Sequence, residues 1–311
     1  MPWVVGIDEA GYGPNLGPLV QAAVGLYLPD GDPAGWDTLK SVVRRAHERA
    51  DGRLLIDDSK KVYARGGLAA LERGVHRTLG CSEKKALGHF LYSVSRLKWI
   101  EALVEEVWFD TAELVPLADP DRVDFHRCAE GCGGHIGFVG AILTPAGQFN
   151  QIIDGANSKA AILATGLSEL LAETLVALPT DNKPVQFLCD KHGGRNFYGE
   201  MIREAFPDGW VVIELEGAAE SHYRVELLDR PVAVVFRPRA DGDSVAVALA
   251  SMLCKYLREV CMLQFNRYWA THVPGIKPTA GYPTDAKRFY AEIRGAMAKL
   301  GLGDDQVWRK R

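Results

Sequence analysis

Gly6-Ile7-Asp8-Glu9-Ala10-Gly11-Tyr12-Gly13 decides the reading of this chain. The apolar run Trp3–Ile7 predicts a strand, and the two acids at its end predict carboxylates delivered to a sheet edge. The Gly-x-Gly turn that follows lets a phosphate approach the backbone closely. Two adjacent carboxylates repel each other unless a cation sits between them, and a divalent metal is the usual one. A strand followed by a plain polar turn is the simpler alternative.

The other acids are read outward from this segment. Asp190 ends the apolar run Val185–Cys189 and precedes Lys191-His192-Gly193-Gly194-Arg195. It repeats the geometry expected for Asp8. Asp241 and Asp243 lie just before a long helical pattern, where one acid is expected to cap the helix. A second acid there is more than a cap needs. Asp57-Asp58-Ser59-Lys60-Lys61 reads as a loop into a helix, with Ser59 and Lys60 available for phosphate. Thr279–Thr284 reads as a turn before the last helix, with Thr284 as its cap.

Strands are predicted over Trp3–Ile7, Leu19–Leu28, Ile136–Leu143, Val185–Cys189, Trp210–Glu214 and Val232–Phe236. Helices are predicted over Trp36–Arg49, Leu68–Thr78, Leu87–Val107, Ala160–Leu178, Ser244–Trp269 and Asp285–Leu300. The Gly/Pro-rich turn between the first two strands predicts an antiparallel hairpin. The whole reads as an α/β protein, a mixed sheet flanked by helices with a helical C-terminal region. Residues 126–135 hold His126, Cys128, Cys132 and His135, which are zinc-ligand types. Their spacing fits no common zinc pattern, and a glycine-rich loop with reduced thiols is the preferred reading.

The chain of 311 residues is 47% hydrophobic and 24% charged, as expected of a soluble globular protein with a large core. Scattered cysteines and a start without a signal-peptide pattern predict a cytoplasmic protein. No apolar run is expected to span a bilayer. The net charge of −4 does not advertise a nucleic-acid partner. Its distribution does: residues 237–311 carry 13 Lys and Arg against 7 Asp and Glu, a net of +6.

Together these pieces resemble ribonuclease HII, the type 2 ribonuclease H family. The matching segments, in the family's order, are Asp8–Gly13, Asp58–Lys61, Leu188–Asp190, Asp241 with Ala250–Lys255, and Gly281–Thr284. The resemblance covers residues 1–79 and about 136–300. It implies a ribonuclease H-like core at 1–79 and 136–240, an insertion at 80–135, and a helical part at 241–311 that completes the active site. It implies that Asp8, Glu9, Asp190 and Asp241 are catalytic and hold Mg²⁺ or Mn²⁺, two ions in all. The family places its helix lysine fourteen positions after the catalytic acid. Counting back from Lys255 selects Asp241 over Asp243.

The implied substrate is an RNA–DNA hybrid or duplex DNA with embedded ribonucleotides. The implied contacts are Gly11, Tyr12, Gly13, Ser59, Lys60, Lys61 and Tyr282. One departure stands out: the family's arginine between the two glycines is Tyr12 here. A relative that cuts or binds another nucleic acid is the first alternative. An actin-like ATPase or sugar kinase is the second, since those folds also open on a Gly-x-Asp-x-Gly phosphate loop.

Overall fold

The computed structural model describes residues 2–29, 32–80, 83–116 and 125–310. Pro120 and the rest of 117–124, within the expected insertion, lie outside the described residues. The strands in chain order are β1 (Trp3–Ala10), β2 (Leu19–Tyr27), β3 (Val43–Arg44), β4 (Leu54–Leu55), β5 (Lys85–Ala86), β6 (Leu114–Val115), β7 (His135–Thr144), β8 (Val185–Asp190), β9 (Trp210–Glu216), β10 (Ser221–Glu226) and β11 (Val232–Arg237). The helices are α1 (Ser59–Thr78), α2 (Leu87–Val94), α3 (Leu97–Val104), α4 (Phe125–Gly131), α5 (Ala146–Ala156), α6 (Ala160–Ala177), α7 (Gly199–Ala205), α8 (Val245–His272), α9 (Pro283–Leu300) and α10 (Asp304–Val307).

Seven strands form one mixed sheet in the order β7-β2-β1-β8-β11-β10-β9. The expected β1–β2 hairpin is antiparallel, with Asp8 opposite Ala22. β1 and β8 run parallel in register, Ile7 opposite Cys189, and β8 and β11 are also parallel. Asp8 and Asp190 come next along these two parallel strands and so lie at the same, carboxyl end of β1 and β8. In open α/β sheets the crevice outside the carboxyl ends of parallel strands is the usual ligand site.

Side chains along β1 alternate between two cores. Val4 joins the cluster beneath α8 and α1, whereas Trp3, Val5 and Ile7 join the one beneath α6 and α7. α8 is apolar around most of its circumference because it is buried among the sheet, α1 and α9. It crosses β1 at Gly6, where a Cβ would lie 2.1 Å from the amide nitrogen of Val247. That backbone approach places the cleft-facing residues of α8 beside the end of β1.

Several sequence expectations are corrected. Residues 36–49 form turns and the short strand β3 instead of a helix. Asp32 accepts from the amides of Gly35 and Thr38, at 2.9 and 2.7 Å, and so favours turns over helical bonding. The long helix expected over Leu87–Val107 is two, α2 and α3. They are split where Ser95 is extended and its hydroxyl donates to the Ala141 carbonyl. The expected glycine loop at 126–135 is helix α4 leading into β7. β10, α5 and α7 were not anticipated. α6, at 18 residues, is long and apolar enough by length and composition to span a bilayer, contrary to expectation. Here its Leu163, Leu167, Leu170 and Leu171 are buried in the core clusters.

Candidate active site

β1 brings Asp8 and Glu9 to the sheet edge, β8 brings Asp190, and a single 3₁₀ turn before α8 brings Asp241. All four line one cleft of about 530 Å³. Gly11, Tyr12, Gly13, Ser59, Lys60 and Tyr282 line it too. Lys61 does not. It follows Lys60 on α1 and pairs with the buried carboxylate of Asp57 at 3.1 Å.

The electrostatics of the cleft follow from burial and crowding. Burial pushes the Asp8 carboxyl up to about 7, with Asp190 and Asp241 adding to the rise and a Ser251 hydrogen bond opposing it. Burial and then the charges of Asp8 and Asp190 raise Glu9 well above its ordinary value. Burial also raises Asp190, against backbone amides that include Ala240 at 3.2 Å. Burial and then Asp58 and Asp190 raise Asp241 to about 6. The charge of Lys60 opposes the shift at Glu9, Asp190 and Asp241 alike. Six carboxylates line the cleft, Asp58 and Glu259 with the four candidates, against three cations, Lys60, Lys255 and Arg258, which leaves it electronegative.

Such a site favours a bound cation, and its oxygen-only donors suit hard divalent ions. Among the described residues no three His, Cys, Asp or Glu side chains stand close enough to enclose an ion already. The four acids line one cleft, and their donor type fits Mg²⁺ or Mn²⁺. The same limit applies to His126, Cys128, Cys132 and His135. His135 packs on the rings of Trp3 and Tyr27, while Cys128 is exposed on α4.

Asp243 is not in the cleft and does not cap α8. It pairs with Arg237 at 3.6 Å, and the cap is Ser244, whose hydroxyl accepts from the Ala246 amide at 3.2 Å. Thr284 is likewise not a cap, since Tyr282 occupies that position on α9 without a side-chain bond. Sequence reasoning assigned no role to Tyr63, Arg258, Glu259 or Asn266, which also line the cleft. Lys255, Arg258, Glu259 and Asn266, at i, i+3, i+4 and i+11, share one face of α8. That polar stripe on an otherwise apolar helix was the available signal.

No family model and no curated protein matches the chain by sequence. Solved structures do match it in shape. The ribonuclease H2 of Pyrococcus horikoshii OT3 superposes with a TM-score of 0.51 at 13% identity, covering 98% of this chain and 92% of that one. The chain has a ribonuclease H-like fold. The ribonuclease HII solved with PCNA from Archaeoglobus fulgidus aligns at a TM-score of 0.46 and 14% identity, over 99% of this chain and 94% of that one. The Aquifex aeolicus ribonuclease H3 aligns at 0.44 and 12%, over 99% and 71%. In this ribonuclease H-like chain the four cleft acids come from three strand or turn ends, up to 233 positions apart in sequence.

Proposed function

We propose that this chain is a divalent-metal-dependent endonuclease of ribonuclease H type. It cleaves the RNA strand of RNA–DNA hybrids, or cuts 5′ of ribonucleotides embedded in duplex DNA, leaving 5′-phosphate and 3′-hydroxyl ends. The observation that carries the reading is the meeting of Asp8, Glu9, Asp190 and Asp241 at the carboxyl edge of parallel strands, in a chain with a ribonuclease H-like fold. These acids would hold Mg²⁺ or Mn²⁺, which when bound would supply Lewis-acid chemistry for phosphodiester hydrolysis.

The remaining roles belong to the chain itself. Lys60 faces the acids and offers a cation to the substrate backbone. The Gly11–Gly13 turn brings unencumbered backbone to the nucleotide, and Tyr282, 57% exposed, offers a phenol and a ring. The 2′-hydroxyl is the feature by which such groups separate ribose from deoxyribose. We place the protein in the cytoplasm, with nucleic acid as its partner and no membrane.

The test is cleavage of matched duplexes with and without one ribonucleotide, in Mg²⁺ and in Mn²⁺. Ribonucleotide-dependent cleavage that EDTA abolishes supports the reading. Cleavage of both duplexes at equal rates would favour a nuclease without ribonucleotide specificity, which the Tyr12 departure makes the natural second reading. No cleavage of either duplex or of a full hybrid would refute it.

A further inference from the structure

Two arginines lie buried against the cleft turn, and neither forms an ion pair among the described residues: Arg258 is 4% exposed and Arg309 is 0% exposed. Every hydrogen bond their guanidinium groups make goes to a main-chain carbonyl. Arg309 Nη2 donates to Gly11 and Pro14, and its Nε and Nη1 have no partner. Arg258 Nη1 donates to Pro18, and its Nη2 donates to Leu16 at 3.3 Å and Ala280 at 3.0 Å. These carbonyls belong to two segments, the turn after β1 and the turn before Tyr282.

The same two segments are joined directly. The amides of Asn15 and Leu16 donate to the Gly281 carbonyl at 2.8 and 3.3 Å. A Cβ on Gly281, whose φ is +82, would lie 2.4 Å from the Leu16 carbonyl oxygen. Arg309 is locked to the turn through its own backbone, its amide donating to Asn15 O at 2.8 Å and its carbonyl accepting from Asn15 Nδ2 at 2.9 Å. Its guanidinium rests on the Phe149 ring at 4.6 Å.

Burying two cations without an ion pair is expensive, and an apolar side chain would fill the same space at lower cost. What the guanidinium groups supply, and an apolar residue cannot, is control of peptide orientation. A trans peptide is planar, so its C=O and the next N–H point opposite ways. Drawing the Gly11 carbonyl toward Arg309 turns the Tyr12 N–H away from it, and Tyr12 lines the cleft.

We propose that Arg309 and Arg258 are positioning residues. They set the peptide planes of the Gly11–Pro18 turn and tie that turn to Gly281–Tyr282, so that both present one fixed surface to the nucleotide. This rests on the nuclease reading for what is bound, though not for the clamp itself.

Arg309→Met removes the donors to Gly11 and Pro14 while keeping a long side chain, and Arg258→Met is the second variant should the first fail to fold. Two quantities are read: amide hydrogen exchange by segment, and the ratio of dissociation constants for matched all-DNA and ribonucleotide-containing duplexes in EDTA, where nothing is cut. The expected result is at least tenfold faster exchange in 11–18 and 279–282, with β1 and α8 unchanged. The affinity ratio should fall at least fivefold toward one. Native exchange in those segments, loosening spread evenly through the protein, or local loosening with an unchanged ratio would each overturn the proposal. A wild-type ratio of one would instead refute ribonucleotide specificity, and the exchange measurement would still decide whether the clamp exists.

Discussion

The ammonium of Lys159 lies 4.6 Å from the centroid of the Tyr12 ring and 6.0 Å from that of Phe149. The turn that resembles ribonuclease HII but has tyrosine in place of arginine therefore still carries a positive charge. The charge arrives from the residue before α6 and rests on the phenol face. A cation over such a ring is worth about 0.5–1 kcal/mol at a solvent-exposed site.

Lys159→Ala should weaken duplex binding and flatten its salt dependence by about one counterion, with the ribonucleotide preference unchanged. Tyr12→Arg alone sets two cations together and should gain less than a full ion's worth of binding. Placed on the Lys159→Ala background, it should restore the lost slope. Affinity measured across a salt series decides this. An unaltered slope in Lys159→Ala would show that its cation never meets the phosphate backbone.

Lys159 also shows where sequence reading stops. Asp8, Asp190 and Asp241 were legible because each follows a strand-like run or precedes a helical one, and a local pattern carries that information. The contact between Lys159 and Tyr12 joins residues 147 positions apart in sequence, and no local pattern encodes it. β10 escaped for a different reason. Its buried Ser221, Tyr223 and Val225 alternate with His222, Arg224 and Glu226, and the charged residues hid the strand period. The cap of α8 was misassigned because Asp243 and Ser244 are both good caps and only geometry separates them. The helix expected over 36–49 failed because Asp32, outside that window, bonds the amides of Gly35 and Thr38.

Asp241, Asp243 and Ser244 should separate cleanly on substitution. Asp241→Asn should lose cleavage, because its carboxylate lines the cleft. Asp243→Asn should keep it, because its partner is Arg237, outside the cleft. Ser244→Ala should keep the chemistry and lose about 0.5–2 kcal/mol of stability with the helix cap. Cleavage rates and urea unfolding midpoints on the three variants make the comparison. Loss of cleavage in Asp243→Asn with full activity in Asp241→Asn would reverse the assignment.

The crowded acids predict how metal couples to stability. Asp8 is raised to about 7 and Asp241 to about 6, so an ion that needs them ionised must displace protons at low pH. Mg²⁺ or Mn²⁺ should therefore raise the melting temperature more at pH 8 than at pH 5.5. Asp8→Asn and Asp190→Asn should abolish both that increment and cleavage. Without metal, the same variants should be at least as stable as the parent, since each removes a like charge. A metal-free Asp8→Asn protein much less stable than the parent would show that the carboxylate is structural.

His76 predicts a second pH dependence. Its Nε2 lies 2.8 Å from the Tyr256 hydroxyl, which is also within 3.2 Å of Glu72 Oε1. The other ring nitrogen, Nδ1, is buried with no hydrogen-bond partner among the described residues. A doubly protonated imidazole would bury that N–H without an acceptor, beside the stacked ring of Phe90, 4.6 Å away. Burial first, and the charge of Lys85 second, accordingly hold the imidazole down at about 4. Between pH 4 and 6.5 the unfolded chain takes up a proton that the folded chain refuses. Stability from this group is complete above about pH 6.5 and lost as pH falls toward 4, on the order of 3 kcal/mol in all. Asp8 and Asp241 act the other way over a similar range, because their raised folded values favour the folded state at low pH. The comparison must therefore be between parent and His76→Phe, with the cleft unchanged in both. The difference in unfolding free energy between them should grow in favour of His76→Phe as pH falls from 7 to 4. A difference that stays constant over that range would mean that His76 titrates alike in the folded and unfolded chain.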